Sequence, residues 1–208
     1  MMQLLRRVAD DAPFDYAPLQ FLWHNVIKPN TRAAIKVTSQ AIQAAFIVQE
    51  AHPRCEVTEN FGRICTDSAC ELFLAFPDAA ACRAESFVPQ ASDQLYLNFE
   101  VNAAGFIYAK YGRERQGRVA LSDKQLALLE ISAQVQEQMW TLELSIPRTL
   151  LQEIADFDVL ADGCNFAYNL YKISEHPSCE HYAARFALNS PTPNFHRPQD
   201  FQAVKIVP

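Results

Sequence analysis

The chain has 208 residues, of which 50% are hydrophobic and 20% charged, a composition typical of a folded globular protein. Its net charge of -6 argues against a nucleic-acid partner, because Lys and Arg form no cluster that would neutralise a run of phosphates. No apolar run reaches the roughly 20 residues that span a bilayer, so no membrane partner is expected.

The N-terminus and the cysteines bear on cellular location. MMQLLRRVADDAPFDY lacks the apolar segment of a secretory signal, so the chain as given is expected to be cytoplasmic, or secreted if a leader has been removed. The six cysteines include no CxxC pair and are expected to be mostly reduced and buried. Cys55 and Cys65, on either side of a loop, are the first candidate pair for a disulfide.

Short strand-like segments follow one another along the chain. AAIKVTS and AIQAAFIVQEA meet at Ser39–Gln40 and predict a hairpin. The later segments, separated by Pro, Gly, Asn and Asp, are CELFLAF, QLYLNFEV, GFIYAKYG, LALLEISAQV, MWTLELSI, NFAYNLYKI, HYAARFAL and FQAVKIV. They predict an all-β, antiparallel β-sandwich of jelly-roll or immunoglobulin-like type, with one or two short helices. Residues 1–208 are expected to form one domain, with residues 1–30 as an N-terminal extension packed on it.

Two segments have helical character. IPRTLLQEIADF predicts a short helix, because Pro147 suits the first turn and apolar residues follow at helical spacing. SDKQLALLEISAQ fits a helix capped by Ser122 and a strand equally well, and both interpretations remain open. Trp140 is predicted to lie in the core, because it shares the strand parity of Leu142 and Leu144.

The strand YLNFEVNAAG, residues 95–104, separates into two unlike faces. The apolar face, which predicts core contact, carries Leu95, Leu97, Phe99 and Val101. The other face carries a phenol, two amides and a carboxylate, from Tyr96, Asn98, Glu100 and Asn102. On neighbouring candidate strands, similar groups share one side: Glu71 with Phe73, and Asn165 with Asn169 and Tyr171. Lys172 falls on the opposite side unless a bulge intervenes.

This polar face has several interpretations. Amides and carboxylates in fixed directions bind the hydroxyls of sugars. A buried hydrogen-bond network explains the same residues, and so does a structural calcium site with Asp67 and Glu71 as ligands. Glu71 and Glu100 also suit the acid pair of a glycoside hydrolase. Alternatively, one of the two acids pairs with Arg113, Arg115 or Lys172.

The motifs of several enzyme classes are missing from the sequence. It contains no P-loop, GxGxxG, GxSxG or HExxH motif. With only five glycines, a phosphate-binding loop is not expected. The histidines are scattered and show no spacing of helical metal ligands.

Five segments resemble, in their order and intervals, the family 9 carbohydrate-binding modules and the related DOMON domains. These segments, within about residues 30–208, are TDSACELFL, YLNFEVNAAG, MWTLELSIP, YNLYKI and PNFHRPQDF. DSACELF is similar to the family's Asp-Ser-x-x-Glu strand, and NFEVNAAG to its Asn-Phe-Glu-x-Asn-x-x-Gly strand and turn. WTLELSIP resembles its Trp-x-x-Glu-x-x-Ile-Pro step into a short helix.

The resemblance implies a non-catalytic module that binds a small saccharide or glycan end on a concave polar sheet. The resemblance implies that binding requires no cofactor, and that calcium can occupy structural sites. Carried over by position, the polar contacts would come from Glu71, Asn98, Glu100 and Asn169. Further candidates near them are Asn102, Arg113, Tyr171, Lys172, His181 and His196. His196 is also interpreted as a structural residue that holds the last strand against the sheet.

The aromatic clamp is the point at which this sequence departs from the family pattern. The family's sugar-binding members hold the ligand between two aromatic rings, and the corresponding positions here hold Cys65 and either Tyr171 or Lys172. Phe61, Tyr108 and Trp23 are the candidates to replace those rings. The DOMON relationship leaves a haem-binding sandwich as an alternative, in which Met139 would pair with His181 or His196 as axial ligands.

Overall fold

A computed structural model describes residues 2–208 as two β-sheets with two short helices. In chain order the strands are β1 (Gln3–Arg6), β2 (Ala17–Pro18), β3 (Gln20–Phe21), β4 (Asn30–Val37), β5 (Ala41–Gln49), β6 (Ala69–Phe76), β7 (Leu95–Asn102), β8 (Ile107–Gly112), β9 (Val119–Ala120), β10 (Glu130–Val135), β11 (Trp140–Pro147), β12 (Asn165–Ser174), β13 (His181–Ala184) and β14 (Gln202–Val207). The helices are α1 (Asp123–Leu126) and α2 (Arg148–Ala155). Single 3-10 turns occupy Ile64–Thr66, Ala79–Ala81 and Pro198–Asp200.

The larger sheet has nine strands and the smaller has five. The larger follows the order β1-β14-β12-β6-β7-β8-β9, with β13 beside β12 and β3 beside β13. The smaller follows β10-β11-β5-β4-β2. Within each sheet the strand pairs are antiparallel, apart from the parallel pair β1–β14. The prediction of an all-β antiparallel sandwich is therefore confirmed.

The first thirty residues contribute short strands to both sheets. β1 runs parallel to β14 and β3 pairs with β13, both in the larger sheet. β2 pairs with β4 in the smaller sheet. This segment therefore lies along the edges of the sandwich and hydrogen-bonds to both layers.

The main core lies between the two sheets and follows the two-residue period of the strands. Leu72 of β6, Phe99 of β7 and Leu142 of β11 are all buried members of this core. Trp140 is fully buried there, which confirms the prediction from its parity. Every residue of β6 is buried, so its second face is covered as well. A second, smaller apolar cluster that includes Phe73 covers that outer face, and the candidate site lies beside it.

The structure contains the predicted hairpin and the predicted helix after Pro147. The segment for which helix and strand were both open forms a short helix followed by a strand. β4 ends at Val37 and β5 begins at Ala41, as predicted for the turn at Ser39–Gln40. α2 begins directly after Pro147, which confirms the predicted helix. In the ambiguous segment, Ser122 caps α1 in a capping box with Gln125, and the rest of the segment continues as β10. No helix within residues 2–208 is long and apolar enough to cross a membrane.

The cysteine pairing differs from the prediction. Cys82 and Cys164 form a disulfide with their Cα atoms 4.8 Å apart, whereas Cys55 and Cys65 are free thiols. Cys55 packs against the core between the sheets, and Cys65 donates from Sγ to Glu175 Oε2 at 3.2 Å on the outer face. Their side chains therefore point into different surroundings. The partners that do meet are 82 residues apart in sequence, so no local spacing indicates them.

Candidate functional site

The polar residues of the larger sheet form aligned rows on its outer face. In the register of β12, β6, β7 and β8, one row runs Tyr171, Glu71, Glu100, Tyr108. The next row runs Asn169, Phe73, Asn98, Lys110. Residues two apart on each strand share a face, so both rows project to the same side of the sheet. The alternation predicted for YLNFEVNAAG is therefore extended across four strands.

A cavity of about 540 Å³ lies over these rows, within the volume range of small-ligand sites. Its floor includes Glu71, Phe73 and Glu100 from the two central strands. The rest of its wall comes from β8, β12, β13 and three loops, which span residues 61–65, 115–118 and 193–196. Charged and aromatic groups thus converge on one recess from separate parts of the chain.

Aromatic side chains border the cavity from two directions. On the β8 side, Phe61 and Tyr108 make an edge contact with ring centres 6.1 Å apart. The Phe61 N–H donates to Ile107 O at 2.8 Å, which holds this loop against β8. On the β13 side, Tyr182 and Phe195 line the wall, also in edge contact. Phe61 and Tyr108 are two of the three candidates to replace the missing clamp rings, and both line the cavity.

Trp23, the third candidate ring, lies behind the wall rather than in it. It packs against Tyr182 and Phe195 with ring centres 5.8 Å from each. Its Nε1 donates to Ser190 O at 2.8 Å. Trp23 therefore supports the wall but does not line the cavity.

Glu71 and Glu100 are directly opposed on neighbouring strands and both are buried. Burial, followed by the charge of Glu100, holds the pKa of Glu71 well above its usual range. Burial also raises the pKa of Glu100 to about 7, against the opposing effects of Arg118 and the Asn98 amide. Oxygen Oε2 of Glu71 is buried and has no hydrogen-bond partner in the part of the chain that the structure describes. The pair therefore presents both a protonated carboxyl donor and free acceptor oxygens to the cavity.

Asn98 connects this acid pair to a basic loop. Its Nδ2 donates to Glu100 Oε1 at 2.8 Å, and its Oδ1 accepts a hydrogen bond from Arg118 Nη1. Arg115, in the same loop, reaches across to Asn194 Oδ1 at 3.4 Å. Lys110 lies 4.9 Å from the centre of the Tyr108 ring. Cationic groups therefore surround one side of the cavity.

His196 is part of the cavity wall in its neutral form. Its ring lies 5.0 Å from the centre of Phe73 and 6.2 Å from Tyr96. Burial, together with Arg118 and Arg115, lowers the pKa of His196 to about 3. Its Nδ1 is buried and has no hydrogen-bond partner within residues 2–208.

Three of the predicted site residues line the cavity: Glu71, Glu100 and His196. Asn98 does not line it but hydrogen-bonds directly to a residue that does. The structure does not bring the remaining six into the cavity: Asn102, Arg113, Asn169, Tyr171, Lys172 and His181.

Four of these six have structural partners on or near the outer face. Asn102 donates to Asp67 Oδ2 at 3.0 Å and shapes the turn after β7. Arg113 forms an exposed ion pair with Asp78. Asn169 donates to Phe186 O at 3.1 Å. Tyr171 is covered by Phe195, which stacks on it with ring centres 4.0 Å apart.

Lys172 and His181 lie on the inner face, as the parity of Lys172 predicted. Lys172 Nζ approaches His181 Nε2 at 2.6 Å, donates to Ser68 Oγ at 2.8 Å and lies 3.6 Å from Glu50 Oε2. His181 Nδ1 contacts Cys179 O at 2.6 Å, and a carbonyl only accepts, so Nδ1 carries the proton and Nε2 accepts from Lys172. These groups form a buried polar network between the sheets.

The surroundings of Asp67, one of the two residues considered as calcium ligands, suit hydrogen bonding rather than a calcium ion. Both carboxylate oxygens of Asp67 accept N–H groups, from the backbone of Glu56 and Val57 and from Asn102. Calcium requires six to eight oxygen ligands, whereas donors already surround Asp67. Within residues 2–208, no group of three or more His, Cys, Asp or Glu residues converges as a metal site.

Several cavity residues were missed by reasoning from the sequence. Lys110 has the strand parity of Tyr108, so alternation would have placed it on the same face as that ring. Tyr182 alternates with His181, which was itself predicted to contact the ligand, so alternation would have placed Tyr182 on the wrong face. Arg118 and Phe195 lie in loops, where no periodicity indicates a direction.

The histidines do not form a haem site with Met139. His181 faces the core between the sheets, whereas His196 lines the outer cavity. Met139 lies beside β11 in the smaller sheet. Met139 precedes the fully buried Trp140 and so points away from the core in which His181 lies, and His196 is on the outer face of the other sheet. Neither histidine therefore shares a pocket with Met139, as axial ligation requires.

The fold and the site define a β-sandwich with a polar, aromatic-bordered recess on one sheet, the kind of surface that binds small polyhydroxylated ligands. A model of carbohydrate-binding family 9 matches residues 7–206. The chain belongs to this family.

Solved structures show the same fold. A candidate carbohydrate-binding protein from Bacteroides uniformis superposes with a TM-score of 0.78 at 20% identity, over 99% of this chain and 98% of that one. A family 9 carbohydrate-binding module from Caldicellulosiruptor kristjanssonii, in complex with cellotriose, gives 0.60 at 12% identity, over 100% and 94%. Its glucose complex gives 0.58 at 10% identity, over 98% and 95%. A comparison with curated protein sequences found no match.

Proposed function

We propose that this chain is a non-catalytic carbohydrate-binding module whose outer cavity binds a small saccharide or the end of a glycan. The observation that carries the proposal is the opposed pair Glu71 and Glu100 on the floor of an aromatic-bordered cavity. Membership of carbohydrate-binding family 9 supports the same ligand class.

The chemistry of the cavity suits a sugar ring. Hydroxyl groups both donate and accept, and the acid pair offers a donor and free acceptors in fixed positions. The unpartnered Glu71 Oε2 and His196 Nδ1 would each gain a hydrogen bond. The apolar face of a pyranose would rest against Tyr108 or Phe195, which supply contact area that hydroxyl bonding alone lacks.

The geometry of the same two acids supports a glycoside hydrolase less well than a binding module. Hydrolysis requires two carboxyl groups that flank the scissile bond. Glu71 and Glu100 instead project from adjacent positions of one sheet face, so both would approach a bound sugar from the same side. We expect no turnover of chromogenic glycosides.

Calorimetric titration tests the binding proposal. Glucose and cellotriose are the first probes, because related modules from Caldicellulosiruptor kristjanssonii form complexes with them, and other mono- and disaccharides complete the panel. We expect binding in the micromolar to millimolar range, weakened at least about tenfold in Glu100→Ala, because that variant removes a hydrogen-bonding group from the cavity floor.

A matched variant separates this effect from general damage. Glu137 is an exposed carboxylate in the turn between β10 and β11, outside the cavity, and Glu137→Ala is expected to bind as wild type does. Circular dichroism confirms that each variant is folded. The proposal fails if the folded wild-type protein binds none of the panel, or if Glu100→Ala binds unchanged.

A further inference from the structure

Four basic side chains line the cavity, although the protein as a whole is acidic. They are Arg63, Lys110, Arg115 and Arg118. None of the four forms an ion pair within residues 2–208, whereas arginines elsewhere in the molecule, such as Arg113 and Arg148, pair with aspartates. Unpaired cations gathered in one recess of a chain with a net charge of -6 indicate a local positive field.

The acids of the cavity do not cancel this charge. Its three carboxyl groups belong to Glu71, Glu100 and Glu175. The pKa of Glu71 is raised well above its usual range, and the pKa of Glu100 is raised to about 7. Both carboxyl groups are therefore largely neutral in mildly acidic solution. Glu175 is then the main negative charge, and it lies at the exposed rim beside Cys65. The cations therefore outnumber the ionised acids.

The basic groups also keep donors free. Among the described residues, Lys110 Nζ has no hydrogen-bond acceptor, and it lies over the Tyr108 ring. Arg118 uses Nε and Nη1 on Arg115 O and Asn98, so its Nη2 is free. Arg115 makes only one long contact, to Asn194. Arg115 and Arg118 both contribute to the lowered pKa of the buried His196, so their field reaches the inner wall.

We propose that the saccharide selected by this cavity carries an anionic substituent, a carboxylate or a sulfate ester, bound by Lys110, Arg115 and Arg118. This inference rests on the proposed function and specifies its ligand class. The sugar hydroxyls meet Glu71 and Glu100 while the anion lies against the basic loop. Arginine suits this role because its planar fork matches both carboxylate and sulfate oxygens.

Neutral and cationic sugars would form fewer favourable interactions with the basic side chains of the cavity. A neutral saccharide leaves the unpaired cations with no partner except water. An amino sugar brings an ammonium group towards Lys110 and Arg118, which repel it. The charge pattern thus discriminates between ligands of the same ring size.

Titration with ligands that share one ring tests the inference. The probes are glucose, glucuronate, glucose 6-sulfate and glucosamine, at pH 6 and at 50 mM and 500 mM NaCl. At low salt we expect one or both anionic sugars to bind about tenfold more tightly than glucose, and glucosamine to bind more weakly. The preference should shrink at high salt through screening. The order of glucuronate and glucose 6-sulfate identifies which anion the site takes.

Variants locate the effect in the cavity. Lys110→Gln and Arg118→Gln each remove a cation from the wall, and the ratio of anionic to neutral affinity should fall towards one. Arg113→Gln is the matched control, because Arg113 lies in the same β8–β9 connection but pairs with Asp78 outside the cavity. If Arg118→Gln does not fold, Lys110→Gln carries the test alone.

The failures of the two proposals are distinguishable. Equal affinity for glucose and both anionic sugars overturns the anionic preference and leaves the carbohydrate-binding function intact. The preference is also overturned if Arg113→Gln reduces it as much as Lys110→Gln does. Binding of no sugar by the folded protein overturns both proposals.

Discussion

Glu71 and Glu100 lie side by side on β6 and β7, where two carboxylates would repel each other. The structure resolves this conflict by keeping at least one of them protonated, since burial raises the pKa of both. Asn98 donates to Glu100 and none of its hydrogen bonds reaches Glu71, so the two acids differ in hydrogen bonding as well as in charge. A pair of this kind is unfavourable for stability but suitable for ligand recognition.

The raised pKa of Glu100 predicts a pH-dependent stability. Its value of about 7 in the folded protein exceeds the ordinary 4.5, so the folded state holds this proton more tightly than the unfolded state does. The resulting stabilisation is fully present below pH 4.5 and is lost as pH rises through 7. Its size is on the order of 3 kcal/mol, because each pKa unit corresponds to about 1.4 kcal/mol.

Urea denaturation at intervals from pH 4 to 8 measures this effect. Glu100→Gln mimics the protonated acid and should flatten the decline in unfolding free energy relative to wild type. Part of the decline remains, because the pKa of Glu71 is raised as well. The exposed Glu137→Gln should keep the wild-type profile. Parallel profiles for wild type and Glu100→Gln would contradict the raised pKa.

At the scale of secondary-structure elements, a buried polar network joins the two sheets. Lys172 projects from β12, and its partner Glu50 follows β5 of the smaller sheet. Glu50 also accepts hydrogen bonds from Ser68 and from Trp140 Nε1, the latter at 3.0 Å. Burial alone would raise the pKa of Glu50, but Lys172 and these hydrogen bonds lower it, so the network contains an ion pair. Burial and Lys172 lower the pKa of His181 to about 3, which keeps its ring neutral.

Removing one member of this ion pair should be strongly destabilising. Lys172→Met leaves Glu50 buried without a counter-charge, which costs about 3–5 kcal/mol. In the double variant Lys172→Met/Glu50→Gln no charge remains buried, and we expect most of that stability to return. Guanidinium denaturation of wild type, the two single variants and the double variant gives the coupling energy. Additive losses would show that the two side chains do not interact.

At the scale of the whole molecule, the disulfide joins two segments that are far apart in sequence and that flank the neighbouring strands β6 and β12 of the larger sheet. Cys82 follows β6 and Cys164 directly precedes β12, at a sequence separation of 82. Cross-linking a loop of this length restricts the unfolded chain and is expected to stabilise the fold by about 4 kcal/mol. Neither cysteine lines the cavity, so this contribution is separate from ligand binding.

Reduction tests the contribution of this disulfide. Dithiothreitol should lower the unfolding free energy of wild type and have little effect on Cys82→Ala/Cys164→Ala, which already lacks the link. Thiol titration of the denatured, unreduced protein should detect the four free cysteines. Detection of six thiols would show that the disulfide is absent. Saccharide binding should be the same in the double variant and wild type.

The strand pattern predicted the fold and part of the site. Alternation separated Glu71, Asn98 and Glu100 from the core residues, and it placed Lys172 on the opposite face. It did not separate Asn98 from Asn102, which share a face and differ only in position along β7. Asn102 lies at the end of the strand, where the following turn and Asp67 take up its side-chain groups.

The sequence by itself determined which side chains share a face, because each strand has a period of two that needs no knowledge of its neighbours. Only the tertiary structure decided which strands and loops pack against each face. The order of strands in the larger sheet brought Glu71 beside Glu100, and the loops carrying Phe61, Arg118 and Phe195 enclosed them. Loop conformation and strand order depend on contacts between residues far apart in sequence, and local periodicity contains no record of these contacts.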